Sequence, residues 1–268
     1  MIHRLSFNQI TSKNATLPQS VDACVKHGVK WIAPWRDRVA EAGLKESARR
    51  IGDAGLRVSS LCRGGFFPAP TAAERAARID DNLRAIDEAA ELAAPCLVLV
   101  CGPAPDRDID AARHMVADGI AAIIDHAGDC RVRLGIEPLH PMFAADRSVI
   151  VTLGEAIDLA ARFDPAVVGI VVDVFHVWWD PRLYPQLRRA SGRICGFHVS
   201  DWAVPLPGIV TGRSMMGEGV IELRRIRAAV DETGYDGPIE VEIMNEKIWS
   251  QPIDDTFEQI IERYLACV

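Results

Sequence analysis

Four otherwise apolar segments of the chain each end in an ionisable side chain. GIEPLHP carries Glu137, GIVVDVFH carries Asp173, CGFHVSD carries His198 and PIEVEI carries Glu242. A buried parallel strand is expected to be nearly all apolar, so a charge at its end calls for a reason. Taken singly, a buried Asp or His there is more often a hydrogen-bonded structural residue. Four on consecutive strands make that coincidence hard to sustain. Three carboxylates in one cavity repel each other unless a cation joins them or their pKa values rise until protons are shared. Three oxygens and one nitrogen, without a thiolate, suit one divalent ion: Mn²⁺ first, with Mg²⁺, Co²⁺ or Zn²⁺ as alternatives. Glu240 shares strand parity with Glu242. Glu242 lies nearer the C-terminal strand end, where the chemistry is expected. Glu240 is then left to face a structural arginine or, as the alternative, to be the ligand itself.

The elements that would position these groups follow from the apolar patterning. Eight short, β-branched runs recur: Leu5–Ile10, Val29–Ala33, Leu56–Leu61, Cys96–Cys101, Val132–Pro138, Val168–Val174, Ile194–Ser200 and Pro238–Ile243. Between them, apolar residues fall at three- and four-residue spacing, most clearly at Ala76, Ile79, Leu83, Ile86, Ala90 and Leu92. Pro18, Thr71 and Asp254 stand where helices should start, and Gly28, Gly55 and Gly234 where they should end. Residues 63–71, RGGFFPAPT, read as a loop after the third run. Eight units over 268 residues give about 33 residues each, the size of one βα unit. The expectation is a single (β/α)8 barrel over residues 1–268. A doubly wound open sheet is the alternative, but no run leads into G-x-G-x-x-G or a phosphate-binding loop. In a barrel the C-terminal strand ends form one face, so the four charged groups, on the fifth to eighth runs, would converge at its mouth.

Composition narrows the class. Apolar residues make up 49% and charged residues 25% of the chain, as in an ordinary soluble globular protein. Thirty basic against 37 acidic residues give a net charge of −7, which disfavours bulk nucleic-acid binding. No apolar run approaches the roughly 18 residues of a membrane helix, and the N-terminus has no signal-peptide shape. Seven scattered cysteines without C-x-x-C spacing suggest neither a zinc knuckle nor a disulfide framework, and the expected compartment is a reducing cytoplasm.

The segments GIEPLHP, DVFHVWW (173–179), FHVSDW (197–202), GEG (217–219) and GYDGPIEVEI (234–243) resemble the sugar-phosphate isomerase/epimerase superfamily, the xylose isomerase-like TIM barrels, over essentially the whole chain. The resemblance implies that Glu137, Asp173, His198 and Glu242 bind one divalent ion, and its G-Y-x-G pattern supports Glu242 over Glu240. It also implies that His176 and Arg213 contact substrate. Its epimerases use two glutamates, here Glu137 and Glu242, to remove and return a proton. The residues allow the same chemistry. A metal can stabilise an enediolate while one carboxylate takes the proton and the other returns it. Loss of hydroxide from that enediolate would make the enzyme a dehydratase of a keto-inositol or similar keto-polyol, and dehydratases resemble this fold too. Endonuclease IV resembles it as well, but it uses three zinc ions and more histidines than this chain offers. A non-catalytic sugar-binding barrel would have no use for both glutamates.

Other residues have two readings each. His140 could bind a substrate hydroxyl or order its loop, and Asp201 could support the site or start a helix. Arg63 could hold a phosphate or carboxylate, or be a surface arginine. Trp35, Phe66, Trp178 and Trp179 could wall a sugar ring, or pack as core or at a homodimer interface. Cys62 and Cys101, without a His–Asp partner pattern, read as small core residues. The expected partner is a small sugar or polyol, with neither nucleic acid nor membrane.

Overall fold

The computed structural model describes residues 1–268. Its strands are β1 (Leu5–Asn8), β2 (Trp31–Ala33), β3 (Arg57–Val58), β4 (Leu61–Gly65), β5 (Cys96–Val100), β6 (Arg133–Ile136), β7 (Val168–Asp173), β8 (Ile194–Val199), β9 (Asp201–Trp202), β10 (Arg213–Ser214) and β11 (Ile239–Val241). Nine form one parallel sheet in the order β3-β2-β1-β11-β8-β7-β6-β5-β4. A parallel bridge between Trp35 and Cys62 draws its two ends together, so the sheet curls into a nearly closed barrel. The fold is a TIM barrel, with helices alternating with strands around it. β9 and β10 form a separate antiparallel pair.

The eight apolar runs become the staves of this barrel, and the third is split. Ser59 and Ser60 interrupt it, and β4 continues to Gly65, so Arg63-Gly64-Gly65 is strand and not loop. Glycine is required at 65. Its φ of 99° is left-handed, and a Cβ would run into the Val100 carbonyl. Asn82 clamps it, accepting the Gly65 N–H (2.6 Å) and donating to the Gly65 carbonyl (2.8 Å).

Several helix starts are set by side-chain caps, though the last helix, Ile253–Cys267, begins after Pro252 with Asp254 in its first turn and no side-chain cap. Thr16, Thr71 and Thr152 each accept a backbone N–H three residues on, and Gln19, Glu74 and Glu155 reach back to complete capping boxes. Gly28, Gly55 and Gly234 close helices at positive φ, as expected from their places before strands. In the helix Ala72–Glu91 the buried positions are Asn82, Ala85, Ile86 and Ala89, while Ala76 and Ala90 are exposed. The apolar spacing of an alanine-rich helix locates its face only to within a turn, because alanine is indifferent to burial. No helix is long and apolar enough to cross a membrane.

Candidate active site at the mouth of the barrel

Register brings the charged strand ends together. Asp173, the last residue of β7, pairs in register with His198 on β8, and His198 pairs with Glu240 on β11. Glu137 follows β6 and Glu242 follows β11, and both extend the ladder, their N–H groups donating to Leu99 (3.2 Å) and Val199 (3.1 Å). Glu137, Asp173, His198 and Glu242 are all buried, and one ligand atom from each lies within 4.8 Å of the others. His198 Nδ1 is 3.2 Å from both Glu137 Oε1 and Glu242 Oε2.

Those three atoms, Glu137 Oε1, Glu242 Oε2 and His198 Nδ1, are buried and make no hydrogen bond. Buried polar atoms without partners are uncommon and call for an explanation. Counting Glu240, four buried carboxylates surround two imidazoles, His198 and His176, and one guanidinium, that of Arg213. A divalent cation would answer both the missing partners and the excess negative charge. The donor set suits Mn²⁺, Mg²⁺, Co²⁺ or Zn²⁺.

The surrounding contacts tune these groups. Burial pushes the Glu137 carboxyl up to about 7, with His198 acting against it. Burial acts upward on Glu242 too, but the Arg213 charge and His198 overcome it and hold Glu242 at about 2. Burial would lower His198, yet Glu240, Glu137 and Glu242 carry it well above the ordinary histidine value. Glu240 meets no arginine, contrary to the sequence reading. It accepts from Asn8 Nδ2 (3.2 Å) and lies 3.2 Å from His198 Nε2. His198 Nε2, like Nδ1, makes no hydrogen bond, but Glu240 places a third carboxylate on that side of the ring.

Asp173 caps the short helix Val174–Val177, its Oδ1 accepting the Phe175 N–H at 2.9 Å. That turn carries His176 back over Asp173, with Nε2 3.7 Å from Oδ2. His176 Nδ1 accepts the His140 N–H (3.1 Å), and its Nε2 lies 3.2 Å from Arg213 Nη2, which can only donate, so both ring nitrogens face donors. Burial lowers this ring to about 3, so it is neutral at ordinary pH. Arg213, on β10, donates to Asp173 Oδ2 at 2.6 Å and lies 3.3 Å from Glu242 Oε2. It thus contacts two of the four central residues, a role its sequence position did not disclose.

Above this floor is a cavity of about 160 Å³. Glu137, Glu242, His176 and Arg213 line it together with Trp35 and Arg63. Trp35 is fixed by its indole N–H, which donates to Asn8 Oδ1 at 2.8 Å. Trp178 and Trp179 are not among the lining residues, and the apolar wall is instead Val100, Leu139, Phe143, Phe175, Val210 and Met244. Phe66 lies in an adjoining groove of about 570 Å³ that shares Trp35, Cys62 and Arg63 with the cavity. His140 orders its own loop: its Nδ1 accepts the Met142 N–H (3.2 Å) and its ring packs against Trp179 and Trp202. Asp201 starts a strand, not a helix, and ties down the following loop by accepting the N–H groups of Trp202, Gly217 and Ile221. Cys62 lies on the cavity wall, but burial and then Glu242 and Glu137 raise its thiol far above the range of a nucleophile. Burial pushes Cys101 up to about 12.

Comparison with known proteins sets this geometry in context. The crystal structure of protein SMc04130 from Sinorhizobium meliloti 1021 is 48% identical to this chain, with a TM-score of 0.98 over 100% of this chain and 99% of that one. The IolI protein, crystallised with a bound zinc atom, is 18% identical, with a TM-score of 0.86 over 99% of this chain and 98% of its own, and shares the fold. The 3-dehydroshikimate dehydratase of Pseudomonas aeruginosa is 26% identical over 254 residues, which are 90% of this chain and 38% of that enzyme. This chain therefore spans well under half the length of that relative. The L-ribulose-5-phosphate 3-epimerase UlaE of Salmonella paratyphi A is 24% identical over 202 residues, 73% of this chain and 68% of the enzyme. Residues 21–265 match the profile of the xylose isomerase-like TIM barrels, and this chain belongs to that family.

Proposed function

We propose that the protein is a divalent-metal-dependent isomerase or epimerase of a ketose or related sugar. It acts by proton transfer between Glu137 and Glu242. The observation that carries this reading is the set of partnerless buried atoms, Glu137 Oε1, Glu242 Oε2 and His198 Nδ1, beneath a cavity lined by the same two glutamates. A cation held by Glu137, Asp173, His198 and Glu242 would supply Lewis-acid polarisation of a substrate carbonyl and its neighbouring hydroxyl. The two glutamates come from non-adjacent staves, so they can meet the substrate from different sides. One takes the proton from the carbon beside the carbonyl, and the other delivers a proton to the opposite face or to the adjacent carbon. Neutral His176, on the cavity wall, contacts a substrate oxygen. Arg213 sets a fixed positive charge beside the oxygen on which negative charge develops. The apolar wall of Phe143 and Phe175 limits water around the reacting carbon.

A second reading, a dehydratase of a keto-polyol, uses the same first step and expels hydroxide afterwards. The match to 3-dehydroshikimate dehydratase over 90% of this chain favours it. Incubation of metal-loaded and chelator-treated protein with ketoses and keto-polyols in D₂O tests both. Metal-dependent deuterium incorporation with a new epimer or isomer supports the first reading. Growth of an enone ultraviolet band supports the second. No incorporation by the metal-loaded protein into any ketose or keto-polyol of the panel would contradict both.

A further inference from the structure

The floor of the cavity is acidic, but its rim is not. Arg63, near the end of β4, and Arg147, in the loop after β6, both line it. Arg213, on the same cavity, is already neutralised by Asp173 and Glu242, and Arg36, on the adjoining groove, by Asp81 and Glu88, whereas Arg78 on that groove has no carboxylate partner. Arg63 and Arg147 have no such partner within 4.0 Å. The Nε–H of Arg147 is moreover buried without a hydrogen-bond acceptor. A buried donor left unpaired is costly, and two unpaired guanidiniums on one small cavity also repel each other.

Arg63 is solvent-exposed, in keeping with the surface reading, and Arg147 is half-buried, and each rests on an aromatic ring. The Arg63 guanidinium lies 4.0 Å over the Phe66 ring, and that of Arg147 lies 5.7 Å from the Phe143 ring. Asn82 clamps the strand two residues beyond Arg63. The Arg147 carbonyl accepts the Gly102 N–H (2.9 Å), tying its loop to the end of β5. Arginine forks placed in this way match carboxylate and phosphate oxygens. In a chain of net charge −7, such a rim is also the local feature that lets an anion approach.

We propose that Arg63 and Arg147 form an anion subsite, so that the substrate carries a carboxylate or phosphate at the end remote from the acidic floor. This deepens the proposed function and rests on the floor being the reacting end. Three six-carbon polyols that cannot enolise test it: sorbitol, gluconate and sorbitol 6-phosphate, titrated calorimetrically into the Mn²⁺-loaded protein. At least one anion should bind tenfold or more tighter than sorbitol, and the tighter of the two identifies the group. Arg63→Met and Arg147→Met should each weaken that anion about tenfold, and the double variant should bind it no better than sorbitol. Arg147→Lys, which keeps the charge, should retain part of the affinity if the group is a phosphate. Equal binding of all three polyols, binding of none, or an anion affinity unchanged in the double variant overturns the subsite. A Mn²⁺ titration of the same proteins separates the two claims. Intact metal binding without anion preference removes the subsite and spares the floor, whereas arginine-dependent anion binding without metal binding does the reverse.

Discussion

His198 shows how much one side chain here depends on its neighbours. Its Nδ1 faces two glutamates and its Nε2 faces a third, Glu240, which Asn8 steadies. Glu240→Gln should therefore weaken divalent-metal affinity by about 10- to 100-fold while the barrel stays folded, the usual cost of removing a partner behind a metal-binding histidine. Competition against a fluorescent chelator measures this, and unchanged affinity would refute that role. Glu137 supplies a pH dependence. Burial holds its carboxyl at about 7, so below that pH a proton competes with the cation for the same oxygens. Apparent metal affinity should fall as pH drops from about 8 to 6, with proton release on binding. Titrations in two buffers of different ionisation enthalpy check it, and an affinity flat across that range contradicts it. The four central residues were legible because each interrupts an apolar run. The role of Glu240 was not, because strand parity reports which face a side chain takes and not which partner it meets there.

At the level of elements, the sequence disclosed staves and caps better than rims. Thr71 was legible as a helix start because a threonine with glutamate three residues on satisfies two free N–H groups. Thr71→Ala should cost about 1 kcal/mol in urea unfolding. Arg63-Gly64-Gly65 has the composition of a turn, yet it extends the third stave. What makes it strand is pairing with β5 and the Asn82 clamp, both long-range. Gly65→Ala should destabilise by more than about 1 kcal/mol, since alanine at φ 99° also meets the Val100 carbonyl. A urea midpoint equal to the parent's would show that this strand end relaxes freely. The cavity wall was the least legible part. Phe143, Arg147 and Val210 lie between the strands, where no periodicity announces which side chains turn inward.

For the whole molecule, the apolar face of each stave and the charge at its end serve different purposes. The first closes the barrel, and the second is assembled by that closure from residues 36, 25 and 44 positions apart along the chain. All seven cysteines are free thiols, and Cys96 and Cys195 approach to 3.6 Å between sulfurs. Mass analysis after alkylation of unreduced, denatured protein should count seven modified thiols. A count of five would point to a bond between Cys96 and Cys195. The central claim is that Glu242 moves a substrate proton while it also helps to hold a cation. Glu242→Gln keeps the volume and a ligating oxygen but cannot accept a proton at neutral pH, and a positioned general base is worth about 10²–10⁴-fold. The direct measurement is solvent deuterium incorporation into a ketose or keto-polyol substrate by wild-type and Glu242→Gln proteins matched for metal content. Exchange should fall by at least that factor while the metal stays bound. Exchange at the wild-type rate in the metal-loaded variant would contradict it.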